Sequence, residues 1–539
     1  MIKSIILFFA FQLFLPGINI GQDYNFPEPR EPVQSWWVYF TDKDSVIFDP
    51  YLFFDPKAIG RRLRHNQDLY DVADYPVSEH YLSGVSSWVD SVNVVSRWLN
   101  AVNVNAQLWQ IDAIRQLPFV KSVEPEILQL LITAENPGKH QRPNSTEIKL
   151  ERIQAHTAHF QGNYFTDHGI DGSNIRIAIF DTGFPRVDSH NAFQHINNDG
   201  RIKAIWDFVS KSPDVYRKNA HGTMVMSLIG GMYGSIPMGL APGAEFILAR
   251  TETWTEPYVE EKYWLAAAEW ADQLGADIIS SSLGYSYHRY FPEQMDGKSS
   301  LVAFAADMAV QKGIVVVNAA GNDGSRKSWE IIISPADTDG VLSIGALDYP
   351  SLLRSSYSSK GPSADGRLKP ELSALGSVFV ATTNGFGFRS GTSFACPLVS
   401  GFAACVMQLH PDWTNLQVLE AMQQSASLYP YYDYSHGYGT PQASWFFSDP
   451  ADTVQPTFDF VADSGQVKIL VRLSETEIFE SILKKPYVFY HIRDAQGKIE
   501  EYHVAAIKKR EVLSFDKTKF RTGQQMFVHI AGYTSSWKF

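Results

Sequence analysis

Three polar residues stand where an apolar run ends or begins, and their types are those that activate a hydroxyl group. Asp181 ends the run NIRIAIFD, His221 opens HGTMVMSLIGG, and Ser393 opens the apolar stretch within SGTSFACPLVSG. A serine hydroxyl becomes a good nucleophile when a base takes its proton, and an imidazole is a better base when a carboxylate orients it. Asp, His and Ser are therefore candidates for acyl transfer by a serine nucleophile.

Each of these residues also has a simpler structural interpretation. Ser393 can cap a helix, Asp181 can cap a turn, and His221 can be a buried histidine or a helix cap. Asn322 favours the chemical interpretation, because it follows the strand-like run VVVNAAGND and can donate to a developing oxyanion together with the Ser393 N–H. Taken alone, Asn322 can equally be a structural turn residue.

The sequence also offers residues for two other kinds of active site. Asp181-Thr-Gly and Asp463-Ser-Gly resemble the paired carboxylates of an aspartic protease. They lie in regions of different predicted structure, which argues against a shared proton. No His/Cys/Glu cluster shows the spacing of metal ligands, so a metal site stays unknown.

Composition narrows the possible functions. The chain has 539 residues, enough for several domains, and a formal net charge of −12, which argues against nucleic-acid partners.

Its two cysteines, Cys396 and Cys405, lie in one predicted helix, about 13 Å apart along the axis. A disulfide needs Cα atoms within about 7 Å, so free, buried thiols are expected.

The N-terminus predicts export. Lys3 precedes an apolar run over residues 5–15, and Pro16 and Gly17 end it. This pattern predicts a signal peptide over residues 1–21, with an uncleaved anchor as the alternative. No later run is apolar over 18 residues, so no membrane span is expected in the mature protein. We therefore expect a secreted or extracytoplasmic location: periplasm, cell surface or medium.

The rest of the chain divides into three predicted domains. Residues 22–147 combine strand-like runs with one helical pattern, LWQIDAI, and end in a polar linker over 133–146. Residues 148–447 alternate continuous apolar strands with helices, which predicts an α/β fold with a parallel sheet covered on both faces. Residues 448–539 read as short alternating strands, typical of a small all-β sandwich.

The middle domain resembles the subtilisin-like serine proteases, or subtilases. The segments DTG, HGT, SLG, AAGN and GTSFACP occur in that family's order over residues 150–447. The resemblance implies a serine endopeptidase with Asp181 as the orienting carboxylate, His221 as general base then acid, and Ser393 as nucleophile. It also implies that Asn322 donates to the oxyanion. The remaining alternative is a catalytically inactive subtilase-like binding protein.

The same resemblance suggests how substrate binds. Ser282, Leu283 and Gly284 would pair with an extended protein or peptide substrate as an added strand. Ala320 and Gly321 would line the substrate site beside Asn322. A large apolar residue before the scissile bond is the family-based expectation. No cofactor is required for the chemistry, and structural calcium is compatible with the family but has no assignable ligands here.

The N-terminal domain resembles the inhibitory propeptides of this family. It would serve as folding template and inhibitor, and be cut from the mature enzyme between Ile127 and Glu147. A permanent accessory domain is the alternative. The resemblance thus implies a self-processed zymogen whose partners are its substrates and its own propeptide, and a monomer is expected.

Overall fold

The computed structural model describes residues 32–126, 146–253, 259–286, 289–449, 454–473 and 486–539. The predicted signal peptide and nearly all of the predicted linker and cut region lie outside these residues. The described residues form an N-terminal α+β unit, a central α/β unit and a C-terminal β unit.

The N-terminal unit is a four-stranded antiparallel sheet in the order β2-β3-β1-β4, with helices in its two crossovers. Its elements are β1 (Gln34–Phe40), α1 (Pro50–Phe53), α2 (Pro56–Arg64), α3 (Glu79–Ser86), β2 (Ser91–Ser96), β3 (Ala101–Ala106), α4 (Leu108–Ile114) and β4 (Val120–Pro125). The predicted strands and helix α4 are confirmed. Helices α1 to α3 were not predicted, and α2 shows why: half of its buried residues are charged, Arg61 and Arg62 beside Ala58 and Ile59.

The central unit is built on a seven-stranded parallel sheet in the order β13-β12-β11-β10-β5-β9-β6. Its elements are α5 (Thr146–Ala158), α6 (Asn163–Asp167), β5 (Arg176–Asp181), α7 (Gln194–Asn198), β6 (Ile202–Asp207), α8 (His221–Gly230), β7 (Met232–Tyr233), β8 (Ile236–Pro237), β9 (Glu245–Arg250), α9 (Val259–Gln273), β10 (Ile278–Ser281), α10 (Leu301–Gln311), β11 (Val315–Ala319), β12 (Leu342–Leu347), β13 (Leu372–Leu375), β14 (Ser377–Thr382), β15 (Gly385–Ser390), α11 (Thr392–Leu409) and α12 (Asn415–Gln424).

Helices cover both faces of this sheet, as predicted. Along β5, Ile177 and Ile179 pack in the core that contains α8 and α11, whereas Ala178 and Phe180 pack in the core that contains α9 and α10. Successive strand residues point to opposite faces, so a strand buried on both faces reads as a continuous apolar run. That is why the sequence identified this sheet.

Helix α11 is the central helix of the larger core. Among the described residues it is the one helix long and apolar enough to cross a membrane by length and composition, and 83% of it is buried inside the protein. Cys396 and Cys405 both lie on it, buried and free, as expected from their spacing. Burial raises the pKa of Cys396 to about 12, so it is an inert thiol at neutral pH.

The C-terminal unit consists of two antiparallel sheets that enclose one apolar cluster. The sheet orders are β16-β17-β20 and β19-β18-β21-β22. The elements are β16 (Phe458–Ala462), β17 (Gln466–Arg472), β18 (Tyr487–Arg493), β19 (Ile499–Ala506), β20 (Arg510–Asp516), β21 (Gln525–Ile530) and β22 (Tyr533–Lys538). The predicted all-β character is confirmed.

The N-terminal unit packs against helix α9 of the central unit through buried charges. Asp272 on α9 accepts hydrogen bonds from Arg61, Arg62 and Arg97, which all belong to the N-terminal unit. On the same helix, Lys262 pairs with Glu126 at 2.8 Å, at the end of the described N-terminal unit. A charged contact therefore joins the two units.

Candidate active site

The carboxyl ends of three neighbouring strands meet at one edge of the parallel sheet. β10 lies between β5 and β11, so Asp181, at the end of β5, is close to the segments that follow β10 and β11. Those segments are Ser282–Gly284 and Ala320–Asn322. Ligands bind at this edge in open α/β sheets. All the predicted site residues on strand ends thus share one region.

Asp181 and His221 form a close pair at this edge. Nδ1 of His221 lies 2.9 Å from Oδ2 and 3.0 Å from Oδ1 of Asp181. Asp181 is fully buried, and the Thr182 N–H donates to its Oδ1 at 2.7 Å. With Nδ1 turned toward the carboxylate, the other ring nitrogen, Nε2, is left to accept a proton.

This pairing changes the basicity of the imidazole. Desolvation by itself would lower the pKa of His221, but the charge and hydrogen bond of Asp181 outweigh it. The net result is a pKa raised above the ordinary value of 6.5. His221 is therefore a stronger base than a free histidine.

The start of α8 approaches the end of β5 so closely that only glycine fits after His221. A Cβ atom on Gly222 would lie 2.5 Å from the Gly183 carbonyl oxygen and 2.9 Å from Cβ of Asp181. The His-Gly dipeptide thus brings the imidazole down onto the carboxylate. A side chain at this position would push the two apart.

Ser393 lies in the first turn of α11. The N-cap of that helix is Gly391, so the interpretation of Ser393 as the helix cap is wrong. Its hydroxyl donates to the Ser282 carbonyl at 3.2 Å, and the Ser282 hydroxyl donates back to the Ser393 carbonyl at 2.7 Å. The ring of the next residue, Phe394, has its centroid 5.4 Å from that of His221. Ser393 is therefore at the same edge as the Asp-His pair, with its hydroxyl directed to Ser282.

Asn322 is held against the start of α11. Its Oδ1 accepts hydrogen bonds from the Thr392 N–H at 2.9 Å and from the Thr392 hydroxyl at 3.1 Å. Because both bonds use the amide oxygen, the amide nitrogen is left to donate elsewhere. Asn322 itself is exposed, so this donor faces the solvent side of the site.

The segment predicted to pair with substrate is fixed at both ends. Leu283 accepts a hydrogen bond at its carbonyl from Asn318 Nδ2 at 2.9 Å. Beyond Gly284, Tyr285 exchanges two backbone hydrogen bonds with Ser334, at 2.8 and 3.1 Å. Asn318 was missed by the sequence analysis, although a polar residue inside the buried run VVVNA was a usable signal.

The structure does not bring together the two carboxylates of the aspartic-protease alternative. Asp463 lies in the turn between β16 and β17, where it is half exposed and pairs with Lys468 at 3.0 Å. It belongs to the C-terminal unit, so it does not form a dyad with Asp181. Within the described ranges, no group of three or more His, Cys, Asp or Glu side chains is placed to hold a metal ion.

Comparison with known proteins agrees with the fold and the motifs. Residues 172–439 match the subtilase family, and residues 35–143 match the peptidase S8 propeptide domain of Bacteroidota. Subtilisin E of Bacillus subtilis (strain 168) is 30% identical over 292 residues, which cover 53% of this chain and 68% of that protein. Subtilisin of Bacillus pumilus is 30% identical over 287 residues, covering 52% of this chain and 92% of its own.

Among solved structures, Sphericase is 27% identical, with a TM-score of 0.42, and the match covers 50% of this chain and 92% of that one. The identity with subtilisin E over 68% of that enzyme places the central unit in a known class of serine-type endopeptidases. The chain belongs to the subtilase family, with a family propeptide domain at its N-terminal side.

Proposed function

We propose that Asp181, His221 and Ser393 are the catalytic triad of this endopeptidase, and that it is exported as a zymogen that cuts off its own N-terminal unit. The observation that carries the proposal is the Asp181–His221 pair at 2.9 Å. It lies at the sheet edge where α11 delivers Ser393. Export is supported by the apolar N-terminal run that ends at Pro16 and Gly17.

In the first step, the Ser393 hydroxyl turns from the Ser282 carbonyl toward Nε2 of His221. Its oxygen attacks the substrate carbonyl carbon while the imidazole takes its proton, and the carbonyl π electrons move onto the oxygen. When the C–N bond breaks, His221 returns that proton to the leaving amine. Water then repeats the sequence on the acyl-enzyme, and Ser393 is released. Asp181 stays ionised and stabilises the imidazolium.

The developing oxyanion needs donors that are in place before the reaction. The Asn322 amide, oriented by Thr392, supplies one donor. The Ser393 N–H supplies the second, since N–H groups in the first turn of a helix have no partner four residues earlier. The fixed segment Ser282–Gly284 gives the substrate a backbone to pair with, which holds the scissile bond near both donors.

The pH dependence of kcat/KM reports on the proposed base. His221 must be neutral to accept a proton, and its raised pKa keeps it protonated to a higher pH than a free histidine. We therefore expect kcat/KM to fall as the pH drops through a midpoint above 6.5. Asp181→Asn removes the charge that raises the pKa, so the midpoint should move to lower pH while the rate falls by about 10⁴. If the midpoint of the fall in kcat/KM at low pH is the same in Asp181→Asn as in wild type, the group that titrates there is not His221.

Self-processing is tested by intact mass. The protein is expressed without residues 1–21, beside an otherwise identical Ser393→Ala copy. We expect the wild type to lose its N-terminal unit through a cut between Ile127 and Glu147, and the variant to stay full length. Loss of the unit from both copies would show that another protease makes the cut. If both copies retain the N-terminal unit and the wild type still hydrolyses peptides, the unit is a permanent domain.

A further inference from the structure

One side chain fills the gap between the two segments proposed to line the substrate site. Ile333 lies between Gly284 on one side and Gly321 on the other. A Cβ atom on Gly284 would come within 2.6 Å of Ile333 Cγ1, and one on Gly321 within 2.9 Å of Ile333 Cγ2. The isoleucine thus touches the backbone of both walls, at positions where the walls have no side chains of their own.

The backbone around Ile333 holds the side chain in this gap. Its N–H donates to the Ala320 carbonyl at 3.2 Å, and the next residue, Ser334, exchanges two hydrogen bonds with Tyr285. Ile333 is only 8% exposed, and a β-branched side chain has few rotamers to move to. Its neighbour Ile332 packs in a cluster with Ala320 and Ala336. The Ile333 side chain therefore stays in the gap between the two segments.

The proposed function determines which part of a substrate meets this gap. The scissile carbonyl must lie beside the Ser393 hydroxyl and the Asn322 amide, with the substrate backbone along Ser282–Gly284. The residue that carries this carbonyl then lies next to both walls. Its side chain has the space between Ser282–Gly284 and Ala320–Asn322 to enter, and Ile333 occupies that space.

We propose that Ile333 restricts the residue before the scissile bond to small side chains, namely glycine, alanine and serine. The proposal rests on the proposed function and departs from the large apolar preference that the family resemblance implies. Its cause is steric: a leucine or phenylalanine side chain needs volume that the isoleucine already fills. A single methylene in an enzyme pocket changes selectivity by about 10- to 200-fold, so a branched four-carbon group can reverse it.

The test compares peptides that differ only in this residue, carrying alanine, leucine or phenylalanine. For the mature wild-type enzyme we expect kcat/KM to be at least about 10-fold higher for alanine than for leucine or phenylalanine. Ile333→Ala should raise kcat/KM for leucine and phenylalanine by at least about 10-fold and change the alanine value by less than about 3-fold. Active enzyme is counted in each sample with a fluorophosphonate, which has no side chain at this position.

Ile331→Ala is the matched control, because it removes the same atoms two residues away. Ile331 packs against the core that contains α9 and α10, and it is not among the nearest atoms that a Cβ on Gly284 or Gly321 would meet. The ratio between the peptides should stay at the wild-type value in this variant. Ile333→Val removes one methyl group, and we expect its kcat/KM ratio between the peptides to lie between those of wild type and Ile333→Ala. It replaces Ile333→Ala in the test if that variant does not fold.

Two results would overturn the proposal: equal kcat/KM for all three peptides in wild type, or an unchanged ratio in Ile333→Ala. Failure of the fluorophosphonate to react would instead count against Ser393 as nucleophile. In that case the affinities of the same peptides for Ser393→Ala proteins decide about Ile333, since binding needs no turnover. Tighter binding of the alanine peptide than of the leucine peptide, with the order reversed by Ile333→Ala, supports the proposal. Equal affinities overturn it.

Discussion

Ser393→Ala is expected to lower kcat for peptide hydrolysis by about 10⁶, the size of the loss known for the nucleophile of a subtilisin. The variant keeps the Asp181–His221 pair and the oxyanion donors, but it has no hydroxyl for the imidazole to activate. Substrate positioning and oxyanion stabilisation remain, so a residual rate of about 10³–10⁴ over water should persist. The measurement is kcat on a peptide substrate, with KM determined separately, after a protease that does not cut this substrate has removed the N-terminal unit from the variant.

Ser390→Ala is the control for this prediction. Ser390 lies three residues earlier on β15, and its hydroxyl donates to the Ser377 hydroxyl at 3.4 Å, away from His221. It should keep kcat close to the wild-type value. If Ser393→Ala retains activity within about tenfold of wild type, the serine is not the nucleophile and the proposed mechanism fails.

Asp272→Asn should lower the free energy of unfolding far more than a surface substitution does, because Asp272 is the centre of the contact between the N-terminal and central units. The carboxylate is fully buried and accepts from three arginines, with Arg62 at 2.8 and 3.0 Å. Burial alone would raise the pKa of Asp272, but the charges of Arg62, Arg61 and Arg97 outweigh it and hold the pKa far below its usual range.

Removing this charge takes away the carboxylate that pairs with Arg61 and leaves Arg62 with Asp74, and Arg97 with Glu269, as their remaining carboxylate partners. Breaking a buried ion pair by removing one partner costs about 3–5 kcal/mol, since the remaining charge stays desolvated. We expect that decrease in the free energy of unfolding, measured by denaturant titration at neutral pH. Ser393→Ala serves as the background, so that the N-terminal unit stays attached. Because a lowered pKa contributes stability that is lost only as pH falls through it, wild type should keep this contact in mildly acidic solution.

Asp112→Asn provides the comparison in the same unit. Asp112 is 64% exposed at its side chain and pairs with Arg115 at 3.0 Å, and such surface pairs contribute at most about 1 kcal/mol. A loss in Asp272→Asn no larger than in Asp112→Asn would show that the buried cluster does not hold the two units together.

The sequence was sufficient for the parallel sheet and for the residues at its edge. Strands β5 and β11 are buried on both faces, so their composition alone identified them. The positions of Asp181 and His221 followed because each stands directly at the end of one such element. The close contact of Gly222 with Asp181 shows that the motif encodes backbone proximity as well as residue type.

Other features depend on contacts between distant segments, and no local pattern shows them. Helix α2 was missed because its buried face carries Arg61 and Arg62, which find their partner Asp272 only in the folded protein. Ile333 belongs to an apolar run over residues 331–333, and its place between Gly284 and Gly321 depends on how two loops meet. Strand β20 has no fully buried residue, because exposed positions alternate with half-buried ones along its length.

The residue that a fluorophosphonate modifies in the wild-type protein is the most direct test of Ser393 as the nucleophile. The reagent transfers its phosphonyl group to the oxygen of a serine whose proton is taken by a neighbouring base, and fluoride leaves. The modified peptide is identified by mass spectrometry, beside Ser393→Ala and His221→Ala. We expect a single adduct on Ser393, absent from both variants. An adduct on another serine, or none on a protein that cleaves peptides, would contradict it.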